Sequence, residues 1–376
     1  MKLAFCLPSL SNSGGIERVL INKINYLSEQ FGYKIFIVTT EIETEPPFFP
    51  LSQAIEVISL QIDFQQIYSL GLLQRFRAYQ KKMKAYKVSL ENFLRTNQVD
   101  YCTSLMNKEL HFLADLDDKS IKVCECHFSK YFLLESHSST PINYVLKYIR
   151  YLQCVRSIKQ IDQLVLLTDS DVALWKGIDN KTVIPNSLPY KAKEISKCKE
   201  KKIIAVGRLS HEKGFDMLIE VWKKLEYHYP DWSLHLYGHG EWDSKLKALI
   251  HQYGLKNIHI HPPVKNIQTR YAESSLLVMS SRYEGFGMVL IEAMAAGLPC
   301  VSFDCPSGPA HIILDGETGY LVPACHTVQM AERIKQLLDN ESLRQSMGRK
   351  AQERAKAFSE NEIMNQWKVF YEINRK

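Results

Sequence analysis

Glu284 and Glu292 stand eight positions apart, separated by the stretch Gly285-Phe286-Gly287-Met288-Val289-Leu290-Ile291. A strand precedes them, two glycines open a helix, and Gly297-Leu298-Pro299 closes it. Such a turn leaves backbone N–H groups near Phe286, Gly287, Met288 and Val289 free to hold a phosphate, with the helix dipole assisting. Glu292 falls inside an otherwise apolar helix, where an unpaired carboxylate is costly. It needs donors, which either a ribose diol or a buried arginine would supply. A second loop, Gly207-Arg208-Leu209-Ser210-His211-Glu212-Lys213-Gly214, also follows an apolar run and precedes a helix. Arg208 and Lys213 bracket it. They either converge on one anion, Arg gripping it bidentately and Lys adding a compact charge, or stand as solvated surface cations. A third loop, Ser13-Gly14-Gly15-Ile16-Glu17, is a tight turn or an anion cradle; it lacks the G-x-G-x-x-G dinucleotide fingerprint.

The elements that must carry these loops are legible as short apolar runs. Lys2–Leu7, Lys34–Thr39, Glu56–Leu60, Asp100–Leu105, Ile121–Cys126 and Gln163–Leu167 read as strands of a first series. Lys202–Val206, Ser233–Tyr237, Asn257–Ile260, Leu276–Met279 and Cys300–Phe303 read as a second. Helical stretches separate them, the first from about Ile16 to Gln30. Near-continuous apolar strands belong to parallel sheets covered on both faces, and two alternating series predict two doubly wound α/β domains. Ligands of such sheets bind beyond the carboxyl ends of the strands, where the three loops fall. The polar, Lys-rich stretch from Tyr190 to Lys202 reads as an interdomain linker. From Val328 onward the chain is helical, with Ile363, Trp367, Phe370 and Tyr371 on one apolar face that packs on a core.

Composition excludes several classes. The chain has 376 residues, 45% hydrophobic and 23% charged, with a net charge of 47 − 41 = +6. That is a soluble globular protein of two ordinary domains, not a disordered chain. No apolar run is long enough to span a bilayer, and the apolar start is too short for a secretory signal. The odd count of nine cysteines predicts reduced thiols in the cytosol. Cys124, Cys126 and His127 lie close together, but without a second pair at zinc spacing they read better as a buried strand and its following loop. Asp169-Ser170-Asp171 resembles a D-x-D triplet; opening a helix, it reads as a cap. No metal is expected.

Between Leu72 and Leu94, Leu72, Phe76, Tyr79, Met83, Tyr86, Leu90 and Leu94 recur at helical spacing and share one face. Arg77, Lys81 and Lys84 fall opposite, and Arg75, Lys82 and Lys87 flank, with no acid among them. This helix suits anionic lipid headgroups or a polyphosphate acceptor, or is a solvated face on a packed helix. Nucleic acid is not expected, since no binding motif accompanies the charge.

Glu284 and Glu292 with their intervening residues resemble the E-x7-E signature of retaining glycosyltransferases of family 4, which have the GT-B fold. Val206 to Asp216 resembles that family's phosphate-binding loop, and Ile184-Pro185-Asn186-Ser187 its interdomain strand end. The likeness is nearly continuous from Ile203 to Val322 and weaker in the first half. It implies two Rossmann-like domains facing across a cleft. Residues 1–186 would form the acceptor domain, 187–357 the nucleotide-sugar domain, and a last helix of about 358–376 would pack back on the first. It further implies that Arg208 and Lys213 neutralise the leaving diphosphate, Glu292 binds the ribose hydroxyls and Glu284 contacts the donor sugar. Gly14 and Gly15 would approach the diphosphate. His127 would hydrogen-bond the donor sugar, unless it is a satisfied structural histidine. Val264 would lie in the loop that contacts the base. His311 stands where relatives often carry a glutamate.

The expectation is a metal-independent, cytoplasmic, membrane-peripheral enzyme on the inner face of the cytoplasmic membrane, with the nucleotide sugar as co-substrate and no cofactor. It would transfer a hexose or N-acetylhexosamine, from a UDP-sugar by preference, to a lipid-linked or growing surface glycan with retention. The alternatives are a sugar-nucleotide isomerase of the same fold and a non-catalytic scaffold that binds nucleotide sugar or lipid.

Overall fold

A computed structural model describes residues 1–11, 14–42, 46–130 and 141–375, the side chains of 141–144 excepted. The chain forms two compact units. The first comprises Met1–Leu167, Val172–Ile184 and Met364–Lys376; the second comprises Thr168–Asp171 and Pro185–Ile363.

The first unit is built on a seven-stranded parallel sheet of order β3-β2-β1-β4-β5-β6-β7. Its strands are β1 (Lys2–Leu7), β2 (Lys34–Thr39), β3 (Glu56–Ser59), β4 (Tyr101–Ser104), β5 (Ile121–Glu125), β6 (Gln163–Leu166) and β7 (Lys181–Val183). Leu3 pairs with Ile35 on one side and Tyr101 on the other, so β1 is central and buried on both faces, as its unbroken apolar run requires. Helices α1 (Gly15–Phe31) and α2 (Leu72–Asn97) follow β1 and β3. α1 ends where Gly32 takes the left-handed conformation and its N–H donates to Leu27 and Ser28 carbonyls. Tyr86, Leu90 and Leu94 of α2 pack with Phe36, Phe64 and Trp175 in the core.

The second unit has a six-stranded parallel sheet of order β10-β9-β8-β11-β12-β13. These are β8 (Lys202–Val206), β9 (Ser233–Tyr237), β10 (Ile258–His261), β11 (Leu276–Met279), β12 (Cys300–Asp304) and β13 (Gly319–Pro323). Leu234 and Leu236 face Phe215, Leu218 and Trp222 of the amphipathic helix Phe215–Leu225 in a single core.

Both sheets are doubly wound, as the alternating runs imply. In each, the winding reverses beside the first strand, between β1 and β4 and between β8 and β11. The crevices at such reversals are where doubly wound folds bind ligands. Two edge strands, β7 and β13, are absent from the sequence reading: one has three residues, the other begins with glycine and ends with proline. The Lys-rich stretch is not a free linker. Ser196 N donates to Ala296 O at 2.8 Å, and Arg344 Nε donates to Cys198 O at 3.2 Å, so it is strapped to the second unit while its lysines point outward. The helix Glu360–Ile373 buries Ile363, Met364, Trp367, Phe370 and Tyr371, and from Met364 onward it belongs to the first unit. There the Tyr101 hydroxyl donates to Tyr371 O at 2.6 Å.

Candidate functional site

In the second unit the loops after β8 and β11 meet at the winding reversal. Gly214 has φ of 61°, and a Cβ there would lie 2.1 Å from Ser280 O, so only glycine permits this approach. The contact is stitched by hydrogen bonds. Ser280 Oγ donates to Lys213 O at 3.0 Å, and Arg282 N donates to Glu212 O at 2.7 Å. Arg282 also grips Asp216 bidentately, at 2.9 and 2.7 Å. This geometry brings Lys213 Nζ to 2.7 Å from Glu284 Oε1, which also accepts from Ser281 Oγ at 2.6 Å. Burial alone would push the Lys213 pKa down, but Glu284 more than reverses that and holds it above the ordinary lysine value.

Beyond Glu284 the chain turns at Gly287, with φ of 95°, into the helix Met288–Ala295. The amides that open a helix have no partner within it. Met288 and Val289 are the first two residues of this one, and Phe286 and Gly287 lead into it. Behind them Gly308, with φ of 101°, admits the loop after β12: a Cβ there would lie 2.1 Å from Phe286 O. Glu292 is 6% exposed, and Tyr271 donates its hydroxyl to Glu292 Oε2 at 3.1 Å. A tyrosine is thus one donor to this buried carboxylate. Arg208 does not share the Lys213 contact; it is 66% exposed, 3.8 Å from Glu212. Val264 lines a cavity of about 420 Å³ with Tyr237, His261 and Arg270, where the Tyr237 and His261 rings stack at 4.6 Å.

In the first unit Gly14 precedes α1 in an extended conformation and Gly15 is its first residue; Ser13 lies outside the described residues. A Cβ on Gly15 would meet nothing within 4 Å. His127 follows β5, its Nε2 3.1 Å from Glu125 Oε2. The triplet Asp169-Ser170-Asp171 opens the helix Asp169–Leu174, but the capping oxygen is that of Thr168, which receives the Asp171 N–H at 3.3 Å and donates to Asp171 Oδ2 at 2.6 Å. His311 Nδ1 lies 3.4 Å from Asp169 Oδ2. Among the described residues no group of three or more His, Cys, Asp or Glu could hold a metal.

The basic helix α2 departs from its expected packing. Only Tyr86, Leu90 and Leu94 of its apolar face are buried, whereas Leu72 is 86%, Leu73 81% and Phe76 63% exposed. Arg77, Lys81 and Lys84 are exposed as well. Arg75 lies over the Tyr68 ring, Lys82 is bonded to Ile62 O and Lys87 is 3.9 Å from Asp115. The helix Pro141–Ile158 also exposes Val145, Leu146, Ile149 and Leu152 beside Arg150 and Arg156, a feature the sequence reading missed. Among the described residues no helix is long and apolar enough to cross a membrane.

Sheet order, paired winding reversals and helix-flanked parallel strands define two Rossmann-like α/β domains of the GT-B type. Crystalline TarM of Staphylococcus aureus, a point mutant in complex with fondaparinux, alpha-GlcNAc-glycerol and UDP, has the same fold. The TM-score is 0.76 over 98% of this chain and 99% of that one, at 16% identity. Residues 188–354 match the sequence model of glycosyl transferases group 1. Over nearly its whole length the chain is similar to known glycosyltransferases. It is 28% identical to an uncharacterized glycosyltransferase of Haemophilus influenzae, over 98% of this chain and 99% of that protein. It is 27% identical to the amylovoran biosynthesis glycosyltransferase AmsD of Erwinia amylovora, over 97% and 98%. The likeness to group 1 glycosyl transferases thus lies in the second unit, and that to known glycosyltransferases runs through both.

Proposed function

We propose that this protein is a retaining glycosyltransferase of family 4 that transfers a hexose or N-acetylhexosamine from a UDP-sugar to a lipid-linked or growing cell-surface glycan. The observation that carries the reading is the Lys213–Glu284 pair beside the helix start at Met288, at the winding reversal of the matched segment. In this reading Lys213, Arg208 and the amides of Phe286 to Val289 meet the charge of the departing diphosphate, as preorganised donors do in a transition state. Glu284 orients the donor sugar and Glu292, set by Tyr271, binds the ribose. Gly14, Gly15 and His127 of the first unit are assigned to diphosphate and sugar. Retention follows a front-face path in which the departing phosphate oxygen takes the acceptor proton. One lysine and one arginine, with a helix terminus, supply the charge a metal would otherwise bring.

Relatives support the choice of substrate class. AmsD is named for amylovoran biosynthesis, and the TarM crystal holds UDP and alpha-GlcNAc-glycerol. The exposed leucines and phenylalanine of α2, set among cations, support a peripheral station on anionic lipid at the cytoplasmic face of the membrane. A thermal-shift panel of UDP-, GDP- and ADP-sugars, followed by transfer to a lipid-linked acceptor with the anomeric configuration read by NMR, tests the reading. Stabilisation by a UDP-sugar and an α-linked product from an α-linked donor are expected. An inverted product overturns retention, and turnover of the donor without acceptor identifies an isomerase.

A further inference from the structure

Lys23, on the inward face of α1, is 3% exposed, and its ammonium is bonded to Glu125 Oε1 at the end of β5. A cation taken out of water requires such a partner. The Trp367 ring from the last helix lies 3.9 Å from that ammonium and the Phe5 ring 4.9 Å, so the charge is boxed by two aromatic faces. The other carboxylate oxygen, Glu125 Oε2, lies 3.1 Å from His127 Nε2. Burial pushes the Glu125 pKa up, but Lys23 and His127 outweigh it and keep the carboxylate ionised. An ionised carboxylate only accepts, so Nε2 carries the imidazole proton. In the neutral ring His127 Nδ1 is then a lone pair, and it is buried without a hydrogen-bond partner among the described residues. An acceptor left so is unfavourable.

We infer that Lys23 and Glu125 are positioning residues that fix His127 in its Nε2–H tautomer and so present Nδ1 as an acceptor for a sugar hydroxyl. The identity of that hydroxyl rests on the glycosyltransferase reading; the array does not. A neutral acceptor at Glu125 could equally donate through an amide and leave the imidazole free to carry its proton on either nitrogen. The carboxylate forbids this, and Lys23 keeps the carboxylate charged inside the core. Trp367 shields the lysine from water, which ties the last helix to the ring orientation of a residue after β5.

The test uses the full chain carrying Lys23→Met with Glu125→Gln, which removes both charges together and strands neither. Heteronuclear NMR of the imidazole nitrogens reads the His127 tautomer without substrate. In the parent chain the proton resides on Nε2; in the double variant both tautomers are populated. The turnover number for sugar transfer falls about tenfold, the scale typical of lost outer-shell partners, while donor KM changes little. Should the double variant fail to fold, as judged by its melting curve, the parent spectrum decides alone: a proton on Nδ1 overturns the proposal. An unchanged tautomer overturns the proposal, as does a mixed tautomer with unchanged turnover. If the parent chain transfers no sugar, the function falls while the tautomer measurement still decides the array.

Discussion

The Lys213 ammonium lies 2.7 Å from Glu284 Oε1 and so joins the loop after β8 to the loop after β11 where the strand order reverses. Glu284, itself held by Ser281, fixes the lysine, so that on the proposed reading a diphosphate would meet a cation already oriented. Lys213→Ala is expected to lower kcat/KM roughly 100-fold or more, the scale of removing one preorganised donor. Glu284→Gln keeps the shape but not the charge, and its loss should fall mainly on kcat. Steady-state kinetics with a UDP-sugar check both, and full activity in both variants would refute the site.

Gly15 separates binding from folding. Its missing side chain faces open space, so Gly15→Ala leaves the fold intact and stabilises α1 by about 0.5–1 kcal/mol through backbone entropy. Donor affinity should nonetheless fall at least about tenfold if the diphosphate approaches that backbone, since tenfold corresponds to about 1.4 kcal/mol. An unchanged donor Kd with a raised Tm would remove Gly15 from the site.

The Arg282–Asp216 pair makes stability depend on pH at the acid end. Burial pushes the Asp216 pKa up, but the Arg282 guanidinium outweighs it and holds the group below its ordinary 3.8. A carboxyl depressed in the folded state contributes stability above its unfolded value and loses it as pH falls through the lower folded one. Arg282→Met should therefore lower Tm at pH 7 by about 2–4 °C, roughly 1 kcal/mol for a partly exposed pair, and flatten the decline below about pH 4. Thermal melts of both proteins across that range measure it.

Vesicle binding tests the exposed part of α2. Leu72→Ser, Leu73→Ser and Phe76→Ser together should cut binding to phosphatidylglycerol vesicles more than about tenfold, because each side chain fully buried in lipid contributes about 1.5–3 kcal/mol. Replacing Arg77, Lys81 and Lys84 with Gln should weaken binding chiefly at low salt, where surface charge is least screened. Lys82 and Lys87 already contact Ile62 and Asp115, and their substitution should matter less. Co-sedimentation at two salt concentrations separates the contributions, and binding indifferent to both sets would remove the membrane surface.

Most of the fold could be read from the chain because central strands of parallel sheets are apolar throughout, and Lys2–Leu7 or Leu276–Met279 admit little else. Edge strands escape that rule; Lys181–Val183 and Gly319–Pro323 are short or punctuated. The loops around Glu284 and Lys213 were visible as glycines next to charges at strand ends. Their partners were not: Tyr271 reaches Glu292 and Arg282 reaches Asp216 across sequence distances that no spacing encodes. Helical periodicity placed Leu72 and Phe76 on the face of Leu90, but the core extends under only the second half of α2. Lys23 gave no signal, being one lysine in an amphipathic helix whose carboxylate partner lies on β5.

Because the last helix completes the first unit, that unit is interrupted by all of the second. On the ribosome its sheet can assemble early, yet the lid of Trp367 and Tyr371 arrives only after the whole intervening stretch Pro185–Ile363 has emerged. Until then Lys23 lacks the aromatic cover of Trp367. Competence of one domain is thereby deferred until its neighbour has been made, a timing written into the order of the polypeptide.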